Sequence, residues 1–205
     1  MFKIFDYIFP KYCLSCNDEG QYLCSTCKTK NFKAWNGTLE IAAEKHFDEL
    51  YCLGDYEDEL LGKLIKTCKY RFVKELTDDL AKLLAKAIVD KKYIGVVVAV
   101  PLSKRRERWR GFNQSAEIGR CLAGELKLEY RDCLKRIKHK KAQAKLSERA
   151  RQKNVLGCFE IRGEVPETVI LIDDVVTTGT TVNECARILK QAGAKQITVC
   201  VLAKG

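Results

Sequence analysis

The feature that most constrains the fold of this chain is the stretch 169–181, which reads Val-Ile-Leu-Ile-Asp-Asp-Val-Val-Thr-Thr-Gly-Thr-Thr. Its four leading apolar residues, three of them β-branched, predict a strand that is buried in a parallel sheet. That strand ends on two adjacent carboxylates, Asp173 and Asp174. A hydroxyl-rich turn follows, and after it apolar residues recur at helical spacing. Because ligands bind outside the carboxyl ends of parallel strands, the stretch predicts a pocket.

The chemistry of this stretch favours a phosphorylated sugar. Hydroxyl groups, a glycine and the N-terminus of a helix together form a site for an anion. The carboxylate pair beside it suits the hydroxyls of a ribose, so the combination fits a ribose 5-phosphate. An ordinary threonine-rich helix cap is the alternative, since Asp and Thr are common in caps. This alternative is the weaker one, because two adjacent carboxylates at a strand end tolerate desolvation only if something binds them.

The same stretch resembles, position for position, the phosphoribosyl pyrophosphate (PRPP) signature of type I phosphoribosyltransferases. The resemblance implies that Asp173 and Asp174 hold the 2′- and 3′-hydroxyls of the ribose, and that the threonine turn surrounds the 5′-phosphate. It also implies Mg2+, which accompanies PRPP and is held largely by substrate oxygens and water. The predicted PRPP-binding residues are Asp173, Asp174, Val175, Val176, Thr177, Thr178, Gly179, Thr180 and Thr181.

The rest of the chain predicts an α/β fold with a parallel sheet flanked by helices. Apolar runs at 50–56, 94–100, 169–173 and 197–202 predict strands, and stripes at helical spacing between them predict helices. A chain of 205 residues can hold one α/β domain of about 150 residues plus a small unit. We therefore predict an N-terminal zinc-binding module with its connector at 1–49 and a phosphoribosyltransferase-like domain at 50–205.

Four of the eleven cysteines form two Cys-x2-Cys pairs separated by seven residues: Cys13, Cys16, Cys24 and Cys27. This spacing matches a closed tetrahedral zinc site. A redox Cys-x2-Cys pair is the alternative, but the motif is doubled and lacks a flanking βαβ pattern. A structural Zn2+ explains how so short a segment folds. The remaining seven cysteines are predicted to be reduced residues of the core.

A second group of motifs narrows the resemblance to the ComF family of competence proteins, which act in DNA uptake during natural transformation. The motifs are Arg110-Gly-Phe-Asn-Gln114, then Gln143-x2-Leu146-Ser147 with Asn154-Val155, the cysteine module and the signature at 169–181. Ala144, Lys145, Gln152 and Lys153 depart from the family pattern. The resemblance implies that a basic loop at 101–114 holds pyrophosphate through Lys104, Arg105 and Arg106, and that a helicase-like protein is a partner. A solvated basic turn is the alternative for this loop.

The charge of the chain is concentrated in one quarter of the sequence. Residues 101–153 hold seventeen Lys or Arg against six Asp or Glu, a net charge of +11, whereas the rest holds twenty against twenty-one. Aromatic residues among the cations suit non-specific binding of single-stranded DNA. The predicted DNA-binding residues are Arg105, Arg106, Arg108, Trp109, Arg110, Lys138, Lys140 and Lys141.

Two functions fit these patterns. One is a competence factor that binds PRPP or ribose 5-phosphate and single-stranded DNA, and the other is an active phosphoribosyltransferase that releases pyrophosphate from PRPP. The sequence has no stretch of eighteen apolar residues and no signal peptide pattern, which predicts a cytoplasmic location. The apolar residues of 1–10 are predicted to lie on one side of a short helix that either lies on the cytoplasmic face of the inner membrane or packs on the cysteine module.

Overall fold

The computed structural model describes residues 10–29, 44–70, 73–88, 94–137 and 155–205. Its helices are α1 (Ser25–Lys28), α2 (Glu59–Tyr70), α3 (Leu76–Ile88), α4 (Lys104–Arg110), α5 (Gln114–Leu126) and α6 (Thr180–Gln191). Its strands are β1 (Glu49–Asp55), β2 (Val96–Ala99), β3 (Glu129–Tyr130), β4 (Leu134–Arg136), β5 (Phe159–Ile161), β6 (Thr168–Val176) and β7 (Gln196–Lys204).

Five strands form a parallel sheet in the order β1-β7-β6-β2-β3. β6 lies at its centre, where Ile170 is paired with Val97 of β2 and Thr198 of β7. Strands in this position are covered on both faces, which explains their continuous apolar composition. The fold class predicted from the sequence is therefore confirmed.

The sheet divides the apolar interior into two clusters. Alternate residues of β6 belong to different clusters, since Ile170 and Ile172 pack with α2, α3 and α5, whereas Val169 and Leu171 pack with α6. Side chains along a strand alternate between the faces, so each helical layer covers one set. The antiparallel pair β4 and β5 stands apart from the main sheet, and β5 packs on α6. This pair was not predicted from the sequence.

Two predictions about local structure were wrong. Residues 101–114 were predicted as a loop, but they contain the helix α4. The Ser103 side chain accepts a hydrogen bond from the Arg106 N–H at 3.3 Å and begins the helix, and Gly111 ends it at φ 77°. The strand predicted to end at Asp173 continues to Val176, because it remains paired with β7 beyond the two acids.

The four-cysteine segment packs on the helical layer formed by α2 and α3. Cys13, Leu23 and Cys27 are buried in the same apolar cluster as Leu61 and Leu76. Two ion pairs join the segment to the beginning of α3 and the residue before it: Lys11 Nζ lies 2.7 Å from Glu75 Oε2, and Lys28 Nζ lies 2.6 Å from Asp79 Oδ1. The division of the chain at residue 49 stays a prediction.

Within the ranges described above, no helix combines the length and the apolar composition needed to cross a bilayer.

Candidate functional site at the centre of the sheet

The two adjacent carboxylates of β6 have different partners. Asp173 Oδ1 accepts a hydrogen bond from Ser115 Oγ at 3.0 Å and another from the Asp174 backbone N–H at 2.9 Å. Asp174 Oδ1 lies 2.9 Å from Lys69 Nζ, and these side chains are only 15% and 13% exposed. Both partners belong to the helical layer that also covers Ile170 and Ile172, since Ser115 lies on α5 and Lys69 lies on α2. The pocket is thus supported by α5 through Ser115 and by α2 through Lys69.

The carboxyl group of Asp173 has a raised pKa. Burial raises its pKa, and the negative charge of Asp174 raises it further, to about 7. Hydrogen bonds from the Asp174 N–H and from Ser115 oppose this rise. At neutral pH this carboxyl is therefore divided between its protonated and its ionised forms, and either form can hydrogen-bond a sugar hydroxyl.

The threonine turn leads from β6 into α6 and exposes hydrogen-bond donors. Gly179 precedes the helix in the left-handed conformation, with φ 73°, which glycine adopts without a steric penalty. Because Gly179 has no side chain with which to cap α6, the first N–H groups of the helix are available to a ligand. Thr178 Oγ1 and Thr180 Oγ1 lie 2.8 Å apart on the same turn. This arrangement supports the predicted anion site at 177–181.

Three arginines, Arg106, Arg110 and Arg136, lie close enough to influence one another. Burial lowers the pKa of Arg106, and the charges of Arg136 and Arg110 lower it further. The Arg136 guanidinium lies 5.2 Å from the centre of the ring of Phe159, which belongs to β5, the strand that packs on α6. Mutual repulsion of like charges favours the binding of an anion between them.

The same cluster contains buried donors that lack a hydrogen-bond partner. They are Arg110 Nε, Arg136 Nε and Gln114 Nε2, and no acceptor is found for them in the described part of the chain. Arg110 Nη1 donates to Gln114 Oε1 at 2.8 Å, and the Gln114 side chain is almost fully buried. Buried donors without an acceptor are costly, so an anionic ligand that accepts from them would be stabilised.

The predicted pyrophosphate and DNA residues lie on α4 and beyond it. Lys104, Arg105, Arg106 and Arg108 are exposed, and Trp109 is 60% exposed. Arg110 is partly buried, and its guanidinium lies 5.8 Å from the centre of the Tyr70 ring. The remaining predicted DNA-binding residues, Lys138, Lys140 and Lys141, lie outside the described residues.

Three residues of the pocket were not predicted as site residues from the sequence. Lys69 and Ser115 reach the acids from helices, and Lys69 belongs to no local motif that distinguishes it from the other lysines of α2. Arg136 was counted only as part of a basic stretch. A detectable signal existed for Ser115, because it follows the N-cap residue Asn113, whose Oδ1 accepts the Ser115 N–H.

The four cysteine thiols of the N-terminal segment form one cluster. Their Sγ atoms all lie within 4.8 Å of one another, and Cys16 and Cys24 are separated by 3.6 Å. Sulfur atoms bound to one tetrahedral Zn2+ are separated by about 3.8 Å, so the cluster fits such an ion. Burial raises the pKa of Cys13, but backbone N–H groups of Cys16, Cys24 and Ser15 lower it to about 6, which favours the thiolate. The cluster can therefore hold a metal.

The sequence of the chain is similar to those of several known proteins. Residues 113–205 match the phosphoribosyl transferase domain model. The chain is 31% identical over 207 residues to competence protein F of Haemophilus influenzae, with 96% of this chain and 85% of that protein covered. It is 31% identical to DNA utilization protein YhgH of Escherichia coli, with coverage of 77% and 73%. It is 26% identical to competence protein ComFC of Bacillus subtilis, with coverage of 89% and 79%.

The match to competence protein F covers 96% of this chain, so it includes both the four-cysteine segment and the strand with the two acids. The fold of the described residues agrees with the matched domain, because a parallel sheet carries the signature on its central strand. The chain therefore belongs to the ComF family of competence proteins, and its C-terminal part is a phosphoribosyltransferase-type domain.

Proposed function

We propose that this protein is a competence factor that binds PRPP or ribose 5-phosphate at β6 and α6 and contacts single-stranded DNA during DNA uptake. Its relatives are named as competence and DNA utilization proteins, which supports this role. One observation carries the ligand assignment: the acids Asp173 and Asp174 lie near an arginine cluster with unpaired buried donors. In a sugar phosphate, the diol can hydrogen-bond the two acids and the phosphate groups can accept from the arginine cluster.

Each part of the pocket has a defined task in binding. The carboxylates accept hydrogen bonds from the ribose hydroxyls, and the turn at 177–181 donates to the 5′-phosphate. Arg106, Arg110 and Arg136 neutralise the pyrophosphate of PRPP. Mg2+ accompanies PRPP and needs no dedicated protein cage, because pyrophosphate oxygens and water supply most of its ligands. Lys69 must leave Asp174, at least in part, when a ribose hydroxyl takes its place.

Isothermal titration calorimetry with PRPP and with ribose 5-phosphate tests the pocket. Replacing both acids (Asp173→Ala with Asp174→Ala) should weaken both ligands by about 1.5 to 3 kcal/mol for each lost charged hydrogen bond. Arg136→Ala should weaken PRPP much more than ribose 5-phosphate, because only PRPP carries the pyrophosphate. Glu167→Ala is the matched control, since Glu167 is an exposed acid just before β6. Equal affinities in the wild type and the double variant would refute the assignment.

The basic helix α4 is proposed to contact single-stranded DNA through its backbone phosphates. Affinity should fall with salt, with a log–log slope of about −0.7 for each phosphate neutralised. Arg105→Glu with Arg106→Glu should flatten the slope, and Trp109→Ala should cost about 1 to 3 kcal/mol if the indole stacks on a base. Fluorescence anisotropy with a labelled oligonucleotide measures both effects. If the oligonucleotide does not bind even at low ionic strength, the proposed contact with DNA is wrong.

A phosphoribosyltransferase activity is the second candidate, favoured by the matched domain. Purified protein incubated with PRPP, Mg2+ and a panel of nucleobases should then release pyrophosphate, and the double variant of the acids should not. A helicase-like translocation protein is the protein partner that we propose from the family resemblance.

We propose Zn2+ as the metal of the four-cysteine cluster and a structural role for it. Four thiolate ligands leave no position open for a substrate, which distinguishes a structural zinc site from a catalytic one. The geometry of the sulfur atoms supports this assignment.

A further inference from the structure

A groove lies between the four-cysteine segment and helix α2, beside the central pocket. Its volume is about 520 Å3. The residues that line it are Leu14, Tyr56, Lys63, Lys66, Thr67 and Tyr70. None of these residues was predicted to belong to a site, and the proposed binding of a phosphorylated ribose does not use them.

One face of α2 forms a wall of the groove. Lys63, Lys66 and Tyr70 are exposed at helical spacing, and Tyr70 is 56% exposed. The opposite face of α2, which includes Leu64 and Ile65, already fills the core. The exposed ring of Tyr70 is therefore not required for packing the helix.

The chemistry of the wall combines cations with aromatic rings. Lys66 Nζ lies 5.5 Å from the centre of the Tyr56 ring. Lys63 forms an exposed ion pair with Glu59 at 2.7 Å, and such a pair contributes little because water screens it. Two ammonium groups beside two phenol rings match a nucleotide, since phosphates bind cations and bases stack on aromatic faces.

The groove is continuous with the pocket at both of its aromatic residues. Tyr70 follows Lys69, the partner of Asp174, and its ring contacts the Arg110 guanidinium. The Tyr56 N–H donates to Lys204 O at 2.7 Å, at the end of β7. A Cβ placed on Gly205 would lie 3.7 Å from Tyr56 Cβ and 3.5 Å from Thr177 Cγ2, so Tyr56 borders the phosphate turn.

We propose that this groove binds the nucleotides of single-stranded DNA adjacent to the pocket, with a base stacked on Tyr70 and phosphates held by Lys63 and Lys66. The inference rests on the proposed function, because it extends the DNA surface from α4 across Arg110 to α2. Charge selects the occupant: the two charged residues that line the groove, Lys63 and Lys66, are cations, and the acid paired with Lys63, Glu59, is not among the lining residues, which favours a polyanion over an apolar peptide. An acidic peptide would share the charge but not the stacking, and the test separates the two.

Fluorescence anisotropy with a labelled oligothymidine tests the groove. Tyr70→Ala and Tyr70→Leu should each weaken binding about 5- to 100-fold, the range for loss of a stacked base, while Tyr70→Phe should bind as the wild type does. Lys63→Glu with Lys66→Glu should weaken binding and reduce the salt slope by about 1.4, because two phosphates lose their cations.

A matched control exists on α3. Lys82 forms an i,i+4 ion pair with Asp78 at 2.6 Å, as Lys63 does with Glu59, and Lys86 is exposed like Lys66. Lys82→Glu with Lys86→Glu makes the same change in net charge away from the groove. It should reduce affinity less than twofold at 0.15 M salt, where the Debye length is about 8 Å.

Calorimetry with PRPP on the same proteins separates failure of the groove from failure of the proposed function. The variant of Lys63 and Lys66 should keep the wild-type affinity for PRPP, because neither lysine contacts the pocket, and this also shows that it is folded; the Tyr70 variants are checked for folding by their thermal midpoint. If the wild type binds PRPP and oligothymidine, but the variants of Tyr70 and of the two lysines bind DNA as the α3 control does, the groove proposal is overturned. It is also overturned if polyglutamate binds as tightly as the oligonucleotide and is equally insensitive to Tyr70→Leu. A wild type that binds neither ligand would overturn the proposed function as well.

Discussion

The pocket on β6 and the four-cysteine cluster are both short motifs that place polar side chains close together, but they are held in different ways. Asp173 and Asp174 lie on the central strand, which is paired with β2 and β7 on its two sides. The cysteine segment has one isolated β-bridge, Tyr12 with Glu19, and the four-residue helix α1. The sheet holds the pocket in place, whereas we expect the cysteine cluster to need the proposed metal to keep its four thiols together.

This difference determines how each motif responds to substitution. Hydrogen bonds of the sheet do not depend on the side chains of the acids, so a substitution in the pocket changes binding and local charge more than the fold. The cysteine segment contributes buried residues such as Leu23 to the cluster shared with α2 and α3. If the cluster holds the proposed metal, its loss should therefore affect the helical layer as well as the segment.

Removing the metal should have the largest effect. Structural zinc contributes apparent binding energies of about 10 to 16 kcal/mol in small peptides. We expect Cys16→Ser to lose zinc and to lower the thermal midpoint by about 10 °C or more, since about 3 kcal/mol gives such a shift in a chain of this size. Elemental analysis and calorimetric melting measure the two results. Cys121→Ser is the control, because Cys121 lies outside the cluster. Wild-type protein purified without chelator and free of stoichiometric zinc would contradict the prediction.

Breaking the Lys69 ion pair should have an intermediate effect. Lys69→Met keeps the length of the side chain but leaves the Asp174 carboxylate without its cation, next to Asp173. We expect a loss of about 1 to 3 kcal/mol in the free energy of unfolding at pH 8, measured with urea. Lys63→Met, which breaks an exposed pair with Glu59, should leave the unfolding free energy unchanged within error, because water screens this pair. Similar losses in the two variants would mean that the pocket ion pair is no stronger than a surface pair.

The ionisation of Asp173 should have the smallest effect. Its pKa is about 7 in the folded protein, above the value of about 4 in the unfolded chain. The folded state therefore binds more protons between these values, and its stability falls as pH rises through this interval. This residue alone should contribute a decrease of about 1 kcal/mol between pH 6 and pH 7.

Comparison of wild type with Asp173→Asn isolates this contribution, because the amide does not titrate. The difference in unfolding free energy between the two proteins should change with pH, whereas Asp132→Asn, at an exposed position, should leave the profile unaltered. Parallel profiles for the wild type and Asp173→Asn would show that Asp173 is ionised throughout.

The sequence predicted the features whose cause is local. The runs within 96–99 and 197–202 are apolar because their strands are buried, and the doubled Cys-x2-Cys spacing corresponds to a single cluster of four thiols. The contact between Ser115 and Asp173 joins residues 58 apart in the chain, and no local pattern indicates such a pairing. β6 continues past two acids because pairing with β7 outweighs their low strand propensity. Helix α4 lacks an apolar stripe, so only its capping residues, Ser103 and Gly111, could have revealed it.

If the proposed ligands bind, the ion pair between Lys69 and Asp174 links the pocket to the groove, and the two binding equilibria influence each other. Lys69 precedes Tyr70 on α2, so a ribose that displaces the ammonium changes the end of the helix that bears the stacking ring. If ribose binding changes the affinity for DNA by some factor, then DNA must change the affinity for the ribose by the same factor. Measuring the PRPP affinity with and without a saturating oligonucleotide would therefore show whether each ligand strengthens or weakens the binding of the other. In such a system the sugar phosphate acts as an effector of DNA binding even when no bond of the ligand is broken.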